Sequence, residues 1–164
     1  MRSPIGHTVL TSANDQYAVH TPGEVVEVID STGTKKYQYI QFNNGTANLT
    51  LAAGNVVYYL DSTDWDGYEV TSDISDTKAN LAAGIAQAAI TDAYYGWVQT
   101  WGYYSAVDTN GDDDIAGGDI VWGVGDGTVD STTAGTAPTY RPVGVAVAAD
   151  VDADNTVATY ITLS

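Results

Sequence analysis

The chain has 164 residues, 44% of them apolar, and carries 5 Lys and Arg against 21 Asp and Glu, a formal charge of −16. That length allows one packed domain or two very small ones. The charge repels nucleic-acid backbones and anionic lipid, and the absence of cysteine excludes a disulfide framework and thiol chemistry.

The first segment, 1–22, is polar and irregular, with Pro4, Pro22 and both histidines, His7 and His20. It reads as an extended arm, expected to become ordered only against a partner or a neighbouring subunit. Its opening, "MRSPIGHTVL", has no long apolar stretch, which argues against a secretory signal. No run approaches the ~18 apolar residues of a spanning helix, so a soluble protein made in a cytoplasm is expected.

From residue 23 onward, short apolar runs alternate with turn residues. "EVVEVID" (24–30) reads as a strand and "STGTKK" (31–36) as a turn. "YQYIQF" (37–42) alternates with period two, as a half-buried strand does. "NNGTAN" (43–48) is a turn, "NVVYYL" (55–60) a strand and "DSTDWDG" (61–67) a loop. The spacing of roughly 8–12 residues continues to the end, as in a β-sandwich or barrel. One segment competes: "DTKANLAAGIAQAAI" (76–90) has helix-forming composition, weakened by Gly84 at its centre.

An internal repeat decides that competition. "LAAGNVVYYL" (51–60) matches "IAGGDIVWGV" (115–124) at an offset of 64. "DGYEVT" (66–71) matches "DGTVDS" (126–131), and "GIAQAAITDA" (84–93) matches "GVAVAADVDA" (144–153), both at an offset of 60. "YYGWVQTW" (94–101) then stands where "DNTVATYI" (154–161) stands. The order is the same in both halves, so the chain reads as a duplication covering about 37–101 and 97–163. In the second copy, valine alternation marks a strand, which makes "GIAQAAI" a strand as well. The expected fold is mostly β: duplicated small meander units in a 23–164 β domain, packed as a barrel or sandwich, behind the arm.

Chemistry is sparse. The two histidines lie in the arm, no serine sits in a nucleophile elbow, and no glycine-rich loop has a phosphate-binding lysine. The carboxylate pairs Asp64/Asp66 and Asp73/Asp76 sit among Ser, Thr and Gly and read as solvated loops. One stretch is sharper. In "VDTNGDDDIAGGD" (107–119), Asp108, Asn110, Asp112, Asp114 and Asp119 follow the spacing of a calcium loop, and the spacing resembles a dockerin-type loop. Against it, Asp113 stands where a turn glycine is usual, "DIVWGV" is strand-like rather than helical, and Asp119 aligns with Asn55 of the first copy. The corresponding "NNGTAN" carries no carboxylate. An acidic exposed loop is therefore the preferred reading, with no metal ligand assigned and no cofactor expected. The aromatic pairs Tyr58-Tyr59, Tyr94-Tyr95 and Tyr103-Tyr104, with Trp97 and Trp101, read first as core on one face and ordinary surface tyrosine on the other, with a subunit interface or a sugar platform as the alternatives.

The segments "GIAQAAITDAYYGWVQTWG" (84–102), "IAGGDIVWGVGDGTV" (115–129) and "RPVGVAVAADVDADNTVATYITL" (141–163) resemble the head decoration proteins of tailed phages, and "KYQYIQFNNGTANLTLAAGNVVYYL" (36–60) resembles their N-terminal region. The resemblance implies a non-enzymatic cement protein, a homotrimer on the exterior of an icosahedral capsid, clamping neighbouring major capsid proteins. Its N-terminal arm would contribute contacts. The family has no fixed contact motif to transfer to residues here. The competing expectation is a secreted, calcium-stabilised adhesion or carbohydrate-binding β module.

Overall fold

The computed structural model describes residues 10–45, 48–60, 67–77, 81–111, 115–131, 141–150 and 155–163. Among these, ten strands and one 3-10 turn form the regular structure: β1 (Val25–Asp30), β2 (Gly33–Phe42), β3 (Val56–Tyr59), β4 (Glu69–Thr71), the turn Ile74–Asp76, β5 (Ala82–Ala86), β6 (Tyr95–Asp108), β7 (Ile120–Gly123), β8 (Val129–Ser131), β9 (Pro142–Ala146) and β10 (Thr156–Thr162). All belong to one sheet, ordered β1-β2-β4-β3-β5-β6-β10-β9-β7-β8, with β2 also paired to β6. The fold is thus mostly β, built from two copies of one unit.

The extra pairing closes a ring. In the first copy, β2 runs parallel to β4 at one side and antiparallel to β6 at the other, and β3 and β5 complete the circuit. The second copy repeats it as β6-β10-β9-β7-β8, closed by a parallel bridge from Thr109 to Val129. Each unit therefore contains one parallel pair and is more than a simple meander. The 14-residue strand β6 serves both rings: residues up to Trp101 pair with β2, and those from Trp101 onward pair with β10. The overlap of the two sequence repeats at 97–101 falls on this shared strand. Gly102, at the crossover, has a positive φ of 95°, and a Cβ there would collide with the Thr34 carbonyl.

The duplication extends to single hydrogen bonds. Ala52 N–H donates to Asn55 Oδ1 at 2.8 Å, and Ala116 N–H donates to Asp119 Oδ2 at 2.9 Å. Gly54 N–H donates to the Ala86 carbonyl, and Gly118 N–H to that of Ala146. Val56 faces Ile85 and Val57 faces Gly84; likewise Ile120 faces Val145 and Val121 faces Gly144, with a register shift at the next residue in both ladders. The ladders also correct two alignments. Pairing equates Val70 with Val129, an offset of 59, and Gln99 with Tyr160, an offset of 61. The offset falls from 64 to 59 across the connection into β4 and β8 and then rises by one residue at each of the next two connections, where end-to-end matching of short blocks keeps 60.

β5 shows why helix-forming composition loses. All five of its residues are buried. Ala83 and Ala86 point into the first ring with Ile40, Phe42, Leu51, Val57, Val70, Ile90 and Val98. Ala82 and Ile85 point out, into a cluster with Val121, Val143, Val157 and Ile161 of the second ring. A strand covered on both faces shows no alternation. Gly84 lets β6 approach, since a Cβ there would lie 2.6 Å from Val98 Cγ2.

The arm differs from its expectation. Residues 10–22 lie on the first ring, with Leu10 and Ala13 buried against Tyr37, Tyr39 and Trp97. Asp15 exchanges backbone hydrogen bonds with Tyr95, both 2.8 Å, and accepts from the Tyr39 hydroxyl at 2.8 Å. The apolar residues Leu10 and Ala13 find a ready aromatic floor on this chain, so these residues need no partner to order them. Residues 1–9, with His7, lie outside the described residues.

Candidate functional site

The acidic stretch 107–119 divides between strand, loop and turn. Asp108 is the last residue of β6, paired with Thr156, and is not the start of a loop. Its backbone N–H donates to the Gly54 carbonyl at 3.0 Å, and its Oδ2 accepts from Asn55 Nδ2 at 2.7 Å. The side chain thus ties the end of the shared strand to the Ala-Gly-Asn turn of the first ring. Asp119 closes the matching turn of the second ring, where Asn55 does the same work without charge. Asn110 is exposed and stands where Asn43 stands: the two backbone N–H groups donate to the carbonyls of Val129 and Val70. Asp112 and Asp114 lie outside the described residues. Among the described residues, no group of three or more His, Cys, Asp or Glu converges as a metal site would require.

Asp108 carries the electrostatic interest. Burial pushes its carboxyl up, while the hydrogen bond from Asn55 holds it down. A carboxyl with a raised folded pKa keeps its proton to higher pH in the native state than in the unfolded one. Its contribution is therefore fully present below the ordinary carboxylate pKa and is lost as pH rises through the folded value. Asp108→Asn should accordingly raise the melting temperature slightly at neutral pH and flatten its fall from mildly acidic to neutral pH. Asp108→Ala should cost about 1 kcal/mol, because the half-buried Asn55 amide loses its acceptor. Calcium against a chelator should leave the melting temperature of the wild type unchanged, read in the same thermal scans.

The other sequence candidates have structural employment. His20 packs edge-on to Tyr39 and Trp97, with ring centroids 5.2 and 5.1 Å away, and lies 3.7 Å from Glu24. Asp73 is buried and caps the 3-10 turn, accepting from Ser75 N–H at 2.9 Å and Ser75 Oγ at 2.6 Å. Asp64 and Asp66 lie outside the described residues. Tyr37, Tyr39, Tyr58 and Trp97 are fully buried, which removes them from any sugar platform.

Sequence reading did not single out a cavity lined by residues of both rings. It measures about 300 Å³ and is lined by Lys36, Gln38, Tyr59, Thr100, Arg141 and Leu163, among others. Tyr59 donates its hydroxyl proton to Gln38 Oε1 at 2.9 Å, and Lys36 Nζ lies over the Trp101 ring, 5.7 Å from its centroid. Two of the five cations of the chain meet here. Among the described residues the lining contains no carboxylate, histidine or serine; its polar groups are Lys36, Gln38, Tyr59, Thr100 and Arg141. The signal available in sequence was the rarity of cations, but Lys36 and Arg141 lie 105 positions apart and only the two-ring packing joins them.

No protein-family model, no curated protein and no solved structure matches this chain.

Proposed function

We propose that the protein is a structural decoration protein, bound to the outer surface of an icosahedral phage capsid and clamping neighbouring major capsid proteins. One surface supports this reading. Tyr17, Val19, Val25 and Ile29 are 74%, 65%, 59% and 76% exposed, and all lie in the arm or on β1. Among the described residues β1 pairs with no strand but β2, and its exposed face carries Val25 and Ile29 on either side of Glu27. An edge strand with two exposed apolar side chains and one carboxylate, Glu27, on that face suits addition to another sheet that offers it a polar or basic partner. The adjoining hairpin is held firm: Asp30 accepts from Thr32 Oγ1 at 2.6 Å and pairs with Lys35 at 3.0 Å, and these partners hold its carboxyl far below the usual range. A braced edge strand beside a docked arm suits a clamp, and a high net charge would keep many copies apart before assembly.

The test is co-sedimentation with capsids assembled from the major capsid protein of the same genome. The wild type should sediment with them. Val25→Asp with Ile29→Asp should weaken binding at least tenfold while leaving the circular dichroism unchanged. Absence of wild-type binding would reject the capsid reading, and undiminished binding by the double variant would reject β1 as the contact. Point substitutions suit this better than removal of residues 1–20, because Leu10 and Ala13 belong to the packed core.

A further inference from the structure

The cavity shared by the two rings collects what a chain of charge −16 has least of. Lys36 and Arg141, two of its 5 Lys and Arg, line it together with the aliphatic Leu81, Ala82, Ala83 and Leu163. Lys36 belongs to β2, whereas Arg141 precedes β9 and Leu163 follows β10, so the site exists only where the rings meet.

The neutral polar groups of the lining are largely engaged with one another and with the backbone. Tyr59 gives its hydroxyl proton to Gln38 Oε1, and Gln38 Nε2 donates to the Gly67 carbonyl at 3.0 Å. Thr100 Oγ1 donates to the Lys36 carbonyl at 3.4 Å. Burial pushes the Tyr59 phenol up, while the Gln38 hydrogen bond and the Arg141 charge pull it down, which sets Arg141 close to that ring. Lys36 Nζ rests over the Trp101 ring, a contact that supports the ammonium without neutralising it. Glu27 faces Lys36 across the β1–β2 ladder, but it is exposed and is not part of the lining. The donors offered to an occupant are therefore chiefly the two cations, set beside an apolar surface.

We propose that this cavity binds a small organic carboxylate, its anionic head held by Lys36 and Arg141 and its apolar body against Leu81, Ala82, Ala83 and Leu163. A volume of about 300 Å³ takes roughly ten non-hydrogen atoms at ~30 Å³ each. A glutamate side chain reaching in from a partner would fill only about half of that space. An inorganic anion would leave the aliphatic lining unmatched. The net charge of the protein repels a polyanion in proportion to its charge, so a monocarboxylate enters at the least electrostatic cost.

Binding here is independent of the capsid reading, and the chain alone tests it. Amide nitrogen–proton NMR spectra of the full chain, titrated with hexanoate, should show saturable shifts at Ala82, Ala83 and Thr100, with a dissociation constant in the millimolar range or below. Hexanamide, which has the same shape without the charge, should bind roughly tenfold more weakly. Lys36→Met and Arg141→Met should each weaken hexanoate binding by roughly tenfold, with the spectrum away from the cavity unchanged. Arg141 is exposed, so its variant keeps the test valid if Lys36→Met disturbs Trp101. The proposal is overturned by the absence of saturable shifts at millimolar hexanoate, by equal binding of hexanamide, or by variants that both bind as the wild type does. Shifts produced by a glutamate-containing peptide but not by hexanoate overturn it in favour of a protein partner.

Discussion

Gly144→Ala is expected to destabilise the protein by about 2–3 kcal/mol, lowering the melting temperature by roughly 5–10 °C. Gly144 lies in β9, facing Val121 of β7 and Ile161 of β10. A Cβ added there would collide with the Tyr160 carbonyl oxygen and come within 2.9 Å of Thr159 Cγ2. A backbone carbonyl cannot rotate away as a side chain can. Relief requires β9 and β10 to part, which would stretch the ladder that binds the second ring to the shared strand. Gly84 is its counterpart in the first ring. There the nearest obstacle is the Val98 side chain at 2.6 Å, with the Gln99 carbonyl farther off at 3.0 Å. Val98 Cβ also lies at 2.8 Å and cannot rotate away, but the closest approach is wider than the one to the Tyr160 carbonyl, so Gly84→Ala should cost somewhat less, about 1–2 kcal/mol. Thermal melts of the two variants side by side give the order. Equal losses would mean that the ladder tolerates the strand separation and that the collision has been overvalued.

That glycine pair shows where the sequence was informative. Matching "GIAQAAI" to "GVAVAAD" made 84–90 a strand against its helical composition; a strand is there because Gly84 and Gly144 hold the same place in two equal ladders, but it spans Ala82–Ala86 and ends before residues 87–90. The turns were legible for a similar reason: Asn55 and Asp119 accept the same bond at the same position. Three things were not legible. The second ring's opening strand hides in "GYYSAVD", because a register shift between Val157 and Thr159 breaks its alternation with β10. Asp108 therefore looked like the first residue of a loop when it is the last residue of a strand. The ring closures depend on parallel contacts, Phe42 with Val70 and Thr109 with Val129, which leave no periodic trace. The fate of the outward rows depends on what covers them. Val56 and Ile120, or Ile85 and Val145, are interchangeable as sequence and differ only in their neighbours.

The joint between the rings leads to the largest single effect expected. Tyr58 sits in β3 of the first ring and is fully buried in the cluster that contains Val121, Val129 and Val143 of the second. Its hydroxyl donates to the Gly125 carbonyl at 3.0 Å, and the ring seats so closely on Gly123 that a Cβ there would collide with it. Burial pushes the phenol far above its usual pKa, so it is a neutral donor at neutral pH. Tyr58→Phe removes the donor and leaves the Gly125 carbonyl short of a partner, at about 1 kcal/mol. Tyr58→Ala removes the ring as well and opens a cavity between the two units, at about 3–5 kcal/mol, which is a large share of the ordinary stability of a domain. The melting temperature should fall by roughly 8–15 °C. The transition should nonetheless remain single, with the calorimetric and van't Hoff enthalpies equal. β6 belongs to both rings, and unfolding either one strips a row of partners from the strand that the other needs. Two resolved transitions in Tyr58→Ala would mean that side-chain packing at the joint, and not the shared strand, makes the two rings fold as one.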